Sequence, residues 1–177
     1  VILQCPDTTF HGIRHRALIT LLYRTGLRHG EALALMPKDV NLEVGSVTVL
    51  HGKGDQSRTV GIDPGANWII ESWLWRRSIA GVGDDAPLFC MTSGAPMPYG
   101  VINMVMRRNA KRAGIEKRVH PHGLRHTHAY ELMMEGIAMP IIQAQLGHKS
   151  LATTDRYLSH IAPRQVIEAI AKREWEP

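Results

Sequence analysis

Cysteine and long hydrophobic runs are scarce in this sequence of 177 residues. Its two cysteines, Cys5 and Cys90, lie far apart and form no CxxC pattern, which argues against a disulfide framework or a cysteine metal site and favours a reducing compartment. No apolar run approaches the roughly 18 residues of a membrane-spanning helix. The chain has neither an initial methionine nor a signal-peptide pattern after Val1, so we expect a fragment or excised domain of a longer protein.

Acidic residues are almost missing from residues 107–128, although the overall composition, 44% hydrophobic and 21% charged, is that of an ordinary globular protein. This segment contains seven lysines and arginines and the single acid Glu116, so it carries a charge of +6 in a chain whose net charge is +5. Such a segment predicts a polyanionic partner, and a solvated helix face is the alternative. The basic residues that we predict to bind this partner are Arg107, Arg108, Lys111, Arg112, Lys117 and Arg118.

Hydrophobic spacing predicts a mainly α-helical chain with one small antiparallel β-sheet, an α+β fold without internal repeats or a domain boundary. Apolar residues at helical intervals predict a helix from Ile13 to a stop at Gly26. Two β-rich runs, 47–50 and 58–62, predict strands joined by a hairpin turn at 52–55. We predict further helices over 28–36, 64–79, 99–113, 121–135, 138–146, 150–157 and 163–173; in the helix over 64–79, the candidate core residues are Trp68, Ile69, Trp73 and Leu74.

Two arginines, several histidines and a tyrosine lie in or beside these predicted helices and together suggest a reaction. The planar guanidinium groups of Arg28 and Arg125 suit the non-bridging oxygens of a phosphodiester. His122 lies three residues before Arg125, on the same helix face, and histidine can donate a hydrogen bond or move a proton near neutral pH. Tyr157 needs nearby cations to ionise, since its reference pKa is about 10, and His148 could orient it or accept its proton. Each residue alone has a structural alternative; together they suit attack of a tyrosine hydroxyl on DNA.

The segments TGLRHGE (25–31), PHGLRHTH (121–128), LGH (146–148) and TTDRYLSH (153–160) resemble the catalytic signature of the tyrosine recombinases, the phage integrase family. The resemblance extends over residues 13–160. It implies a DNA strand transferase that works through a 3′-phosphotyrosyl intermediate without metal, ATP or another cofactor. The implied catalytic residues are Arg28, Lys53, His122, Arg125, His148 and the nucleophile Tyr157. Among these, Lys53 would lie in a hairpin and act as the general acid. Two further residues have supporting roles by the same resemblance: Glu31 is a structural acid beside Arg28, and His126 is a support residue.

The same resemblance implies the partners and organisation of the chain. We expect double-stranded DNA as substrate, a homotetramer on synapsed DNA, accessory DNA-bending proteins, and a place on DNA in the cytoplasm of a prokaryotic cell, in recombination or integration of a mobile element. We expect no counterpart of the family's N-terminal DNA-binding domain in this chain, so that residues 1–177 form a single catalytic domain. The resemblance implies that the tail helix at 163–177 packs on a neighbouring protomer, and docking on its own domain is the alternative.

Three other functions stay open on the sequence alone. A type IB topoisomerase shares the tyrosine chemistry but reseals the same strand, and a DNA-binding module could have lost catalysis. A metallohydrolase is the third alternative, because His120, His122, His126 and His128 are clustered and His122 and His126 have i, i+4 ligand spacing. Against it, no glutamate follows His122 as in a zinc-protease motif, and Arg125 would repel a cation.

Overall fold

The structure, a computed structural model, describes residues 1–50 and 57–147. The predicted fold class is confirmed: the described chain is mainly helical and contains a small antiparallel sheet. The helices and strands, in chain order, are α1 (Phe10–Thr25), α2 (His29–Ala34), β1 (Val40–Asn41), β2 (Ser46–Val49), β3 (Arg58–Gly61), α3 (Pro64–Ile79), α4 (Gly100–Arg112), α5 (Pro121–Met134) and α6 (Met139–Leu146), with short 3-10 turns at Ile2–Gln4 and Pro37–Asp39. The predicted hairpin turn and the predicted helices over 150–157 and 163–173 lie outside the described residues.

The three strands form an antiparallel sheet in the order β1-β2-β3. Val47 of β2 lies opposite Val40 of β1 and Val60 of β3, and the side chains of Val47 and Val60 are buried. The sequence did not predict β1, because a strand of two residues is too short to show an alternating pattern.

Helix α1 lies at the centre of the fold and packs against α2, α3, α4 and α5. The hydroxyl of Thr9 caps its first turn by accepting a hydrogen bond from the Gly12 amide. It ends at Gly26, whose φ of 65° is the left-handed conformation that glycine adopts most easily. Leu18, Leu21 and Leu22 are fully buried, so α1 supplies much of the core.

The core-facing side of α3 differs from the predicted one. Its buried residues are Ala66, Ile70, Trp73 and Arg77, which follow one helical face. Trp68 lies roughly 200° around the helix from Ala66 and is 66% exposed, so its predicted place in the core is wrong. The other predicted core residues of α3 were placed correctly: Trp73 is fully buried, and Ile69 and Leu74 pack partly buried against the core.

Helix α6 joins the sheet to the end of α1 through Gln145. The side-chain amide of Gln145 pairs with the backbone of Gly61, accepting from its amide at 2.9 Å and donating to its carbonyl at 3.0 Å. It also donates to the carbonyl of Thr25 at 3.3 Å. The helix ends at Gly147, in the left-handed conformation with a φ of 66°. None of the described helices is both long and apolar enough to cross a membrane.

His128 of α5 lies buried between the ends of α1 and α6, with only 4% of its surface exposed. A methyl group on Gly26 would lie 2.8 Å from Cδ2 of His128 and 2.7 Å from Cδ2 of Leu146, so the three helices meet closely here. Burial, with smaller contributions from the charges of Arg24 and Arg125, lowers the pKa of His128 to about 4. The imidazole is therefore neutral at pH 7.

This buried histidine should make the fold sensitive to acid. In the unfolded chain this histidine binds a proton below a pKa of roughly 6.5, whereas folded His128 stays neutral down to about pH 4. The free energy of unfolding should therefore fall as the pH drops toward about 4, by up to roughly 3 kcal/mol. The variant His128→Phe should lose less stability between pH 7.5 and pH 5 than the unaltered protein, as measured by urea unfolding. Equal losses in the two proteins would contradict this assignment.

Candidate active site

Three of the predicted catalytic residues line one cavity. Arg28 at the start of α2 and His122 and Arg125 of α5 surround a pocket of about 620 Å³, together with His29, Tyr99 and Arg118. Arg28 is separated from the other two by about a hundred residues of sequence, so tertiary packing brings them together. The other predicted catalytic residues, Lys53, His148 and Tyr157, lie outside the described residues.

Arg28 is held by the carboxylate of Glu31, in the first turn of α2. Glu31 Oε2 accepts from the Arg28 amide at 2.9 Å, and Oε1 accepts from Arg28 Nη1 at 2.8 Å. Arg58 of β3 binds the same carboxylate with Nη1 and Nη2, at 3.0 and 2.7 Å. Burial alone would raise the pKa of Glu31, but the hydrogen bonds and charges of the two arginines lower it to about 2, so Glu31 is ionised.

Arg58 is a residue of the site that the sequence analysis missed. It sits on β3 two positions before Val60, and both side chains point to the core side of the strand. A charged residue at an inward position needs a partner, and this pattern was a signal that could have identified it.

Arg125 is buried, with 1% of its surface exposed, and it joins two helix ends. Its Nη1 donates to the carbonyl of Gly26 at 2.5 Å, and its Nη2 donates to the carbonyl of Leu146 at 2.7 Å. These carbonyls terminate α1 and α6, where the helix dipole adds partial negative charge. The guanidinium is thus positioned without a carboxylate among the hydrogen-bond partners just named.

His122 is more exposed than Arg125 and lies at the pocket wall. Partial burial lowers its pKa, and the positive charges of Arg125, His120 and Arg28 lower it further. Its ring packs edge-to-face on His126, with centroids 4.5 Å apart. The neutral imidazole can therefore donate a hydrogen bond from one ring nitrogen and accept a proton at the other.

The clustered histidines do not converge on one point. His120 caps α5, with Nδ1 accepting from the Gly123 amide, whereas His128 is buried against α1 and α6. Within residues 1–50 and 57–147, no group of three or more histidine, cysteine, aspartate or glutamate side chains is arranged to hold a metal ion.

Two further residues of the pocket were not singled out from the sequence. His29 and Tyr99 pack ring against ring, with centroids 4.1 Å apart, and both line the pocket. His29 is 7% exposed, and burial lowers its pKa. An exposed aromatic residue before a basic helix carries no distinctive sequence signal, so only the tertiary structure reveals this pair.

The six predicted basic residues are all exposed, but they lie on different faces. A groove of about 940 Å³ runs between α4 and the segment that follows it. Asn103, Arg118 and His120 line both this groove and the pocket, so the two cavities adjoin. Of the six, those lining the groove are Arg107, Lys111, Lys117 and Arg118; Arg108 and Arg112 do not line it.

Residues 1–163 match the model of the phage integrase family. Among curated proteins, the chain is similar to tyrosine recombinase XerC of Thermodesulfovibrio yellowstonii, with 33% identity over 164 residues. This match covers 90% of the chain and 54% of XerC. The chain therefore spans about half the length of the curated relatives it matches.

Solved structures give the same family. The crystal structure of XerA recombinase superposes with a TM-score of 0.83 at 30% identity, covering 98% of this chain and 62% of XerA. The structure of XerH site-specific recombinase bound to palindromic difH substrate, a post-cleavage complex, has a TM-score of 0.78 at 32% identity, covering 97% of this chain and 49% of XerH. The predicted tyrosine-recombinase type of fold is thereby confirmed.

Arg125 is buried and Arg28 is partly exposed, so replacing them should lower the free energy of unfolding by different amounts. Arg125→Met leaves two buried carbonyls without their donor and should lower the free energy of unfolding by roughly 3 kcal/mol. Arg28→Met removes a side chain that is 36% exposed, and Glu31 keeps its bonds to Arg58, so the loss should stay below about 1 kcal/mol. Urea unfolding of both variants checks the order, and a larger loss for Arg28→Met would contradict it.

Proposed function

Because the chain belongs to the phage integrase family, we propose that it is the catalytic part of a site-specific recombinase that cuts and rejoins double-stranded DNA. The main support is that Arg28, His122 and Arg125 line one pocket that adjoins a basic groove. This arrangement fits a phosphodiester in the pocket and the adjoining DNA backbone along the groove. The family match favours a recombinase over the topoisomerase and metallohydrolase alternatives.

The proposed reaction is two successive phosphoryl transfers. Arg28 and Arg125 bind the non-bridging oxygens of the scissile phosphate and stabilise the charge that develops during attack. The hydroxyl of Tyr157 attacks phosphorus, so that a phosphotyrosyl bond forms on the 3′ side while the bond to the 5′ oxygen breaks. Lys53 gives the leaving 5′ oxygen its proton, and His148, assisted by His122, accepts the proton that the Tyr157 hydroxyl loses. A 5′-hydroxyl from the partner duplex then reverses the step, which conserves the phosphodiester energy without ATP.

Fixed positive charge takes the role that a metal ion has in other phosphoryl-transfer enzymes. Arginine side chains are permanently charged under physiological conditions, so Arg28 and Arg125 supply this charge. We therefore propose a reaction that needs neither a metal nor another cofactor.

The partners of the whole protein are part of the same proposal, and DNA complexes of relatives support DNA among them. XerH was captured with its difH substrate after cleavage, and an equivalent substrate for this chain is a specific DNA site. We propose that four protomers act on two synapsed duplexes, that the tail at 163–177 links them, and that accessory DNA-bending proteins assist, in the cytoplasm of a prokaryotic cell.

The nucleophile is tested by Tyr157→Phe, which removes one oxygen. The intact protein, as encoded in its source, should form an SDS-resistant adduct with a nicked duplex carrying a site that it selects from a random-sequence DNA library. The variant should bind this duplex with unchanged affinity and form no adduct. The matched control is Tyr130→Phe in α5, which removes the same oxygen from an exposed tyrosine and should leave adduct formation intact. An adduct that persists in Tyr157→Phe would refute the assignment, and absence of any adduct with the unaltered protein would favour the inactive DNA-binding module.

The DNA path is tested by two double variants of α4 that remove the same charge. Arg107→Ala with Lys111→Ala removes two of the four basic residues that line the groove, whereas Arg108→Ala with Arg112→Ala removes two charges from a neighbouring face of the same helix. If the groove holds the DNA backbone, the first variant should reduce the slope of log affinity against log salt by about 2 and the second by much less. Filter binding at several salt concentrations measures this, and equal slopes would place the DNA elsewhere.

A further inference from the structure

We infer that Arg58 is a positioning residue of the phosphate-binding pocket: it neutralises Glu31 so that Arg28 keeps its charge for the phosphate, and it supports the turn at Gly147. The inference rests on the proposed function, because it concerns how the pocket meets a phosphodiester. It starts from two contacts of one side chain, which is 14% exposed.

The first contact is the shared carboxylate. Oε1 of Glu31 accepts from Nη1 of both Arg28 and Arg58, and Oε2 accepts from the Arg28 amide and from Nη2 of Arg58. Two guanidinium groups around one carboxylate leave a surplus positive charge. Because Arg58 is the more deeply buried arginine, it compensates Glu31 from the core side, whereas Arg28 lies at the pocket.

Removing Arg58 would change that charge balance. Glu31 would stay buried with Arg28 as its sole arginine partner among those described, and the Arg28–Glu31 pair would carry no net charge. A buried carboxylate binds its remaining cation more tightly, so Arg28 would be drawn from the phosphate toward Glu31. The expected result is weaker stabilisation of the transition state with little change in the remaining DNA contacts.

The second contact is with the backbone at Gly147. A methyl group on this residue would lie 2.5 Å from Nε, 2.6 Å from Cδ and 2.8 Å from Cζ of Arg58, so the guanidinium lies directly against the glycine. The carbonyl of Leu146, one residue earlier, accepts from Arg125. Arg58 and Arg125 thus support the end of α6 together, immediately before His148 in the sequence.

The test measures single-turnover cleavage by the intact protein at saturating DNA, on the nicked duplex that it selects from a random-sequence library. Arg58→Gln should lower the cleavage rate on the order of 10²-fold while leaving DNA affinity within about threefold. Arg58→Lys keeps the charge without the planar fork and should recover part of the rate. The matched control is Arg24→Gln, which also removes an arginine bound to carboxylates, those of Asp63 and Glu131, but outside the pocket.

A second substrate separates positioning from a purely structural role. Methylphosphonate at the scissile position replaces a charged non-bridging oxygen with a methyl group, so less positive charge is needed in the pocket. The Arg58→Gln defect should then shrink to less than about tenfold, as should that of Arg28→Gln. Any defect of Arg24→Gln should be the same on both substrates, because a loss of fold does not depend on the charge of the phosphate.

The outcomes distinguish the two proposals. An Arg58→Gln rate equal to that of the unaltered protein, or a defect of equal size on both substrates, would overturn the role of Arg58 and leave the recombinase proposal standing. If Arg58→Gln fails to fold, the ratio of the two substrates is measured with Arg58→Lys and judged in the same way. An unaltered protein that cleaves neither substrate would overturn the proposed function, and the role of Arg58 with it.

Discussion

The guanidinium of Arg125 donates to the carbonyls of Gly26 and Leu146, and these two bonds join the ends of α1 and α6 beside the pocket. A buried cation loses its hydrogen bonds to water and needs acceptors from the protein in their place. Carbonyls at helix ends are such acceptors, because they lack intrahelical partners and carry the negative end of the helix dipole. Both helices end in left-handed glycines, Gly26 and Gly147, which lets the chain turn away and leaves the carbonyls available to the arginine.

Arg58, which is partly buried beside the pocket, is compensated in a different way. Arg58 faces a full negative charge on Glu31, and that carboxylate also holds Arg28. A carboxylate fixes an arginine more firmly than carbonyls do but cancels its charge, so a pocket built only from arginine–carboxylate pairs would attract no phosphate. Carbonyl partners for Arg125 and a second arginine for Glu31 both leave the region positive. Burial is the larger cause that lowers the pKa of His122 and of His128, and the positive charge of nearby guanidinium groups lowers both further.

Local sequence patterns were sufficient to predict many of the helix bounds. The bounds of α3 were predicted as they are found, because Pro64 begins the helix and apolar residues follow its period. The stops at Gly26 and Gly147 were also predicted from the same rule of glycine after a periodic segment. Trp68 was misplaced because hydrophobicity alone does not show which face of a helix meets the core, and here the buried face includes Arg77 in place of an apolar residue. The meeting of Arg28 with His122 and Arg125 was expected only through the family resemblance, since no local pattern relates residues so far apart.

The basic segment shows what a charge count can and cannot predict. Six of its seven lysines and arginines are exposed, whereas Arg125 is buried. A charge count also gives no direction in space, and successive residues of a helix point about 100° apart. Arg107 and Lys111, four residues apart, share the face that lines the groove, and Arg108 and Arg112 share a neighbouring face. Arg118, beyond the end of α4, lines both the groove and the pocket and so makes the positive surface continuous between them. One face of α4 lines a groove that adjoins the pocket arginines. This position, more than the number of charges, makes that face suitable for a DNA backbone whose phosphate enters the pocket.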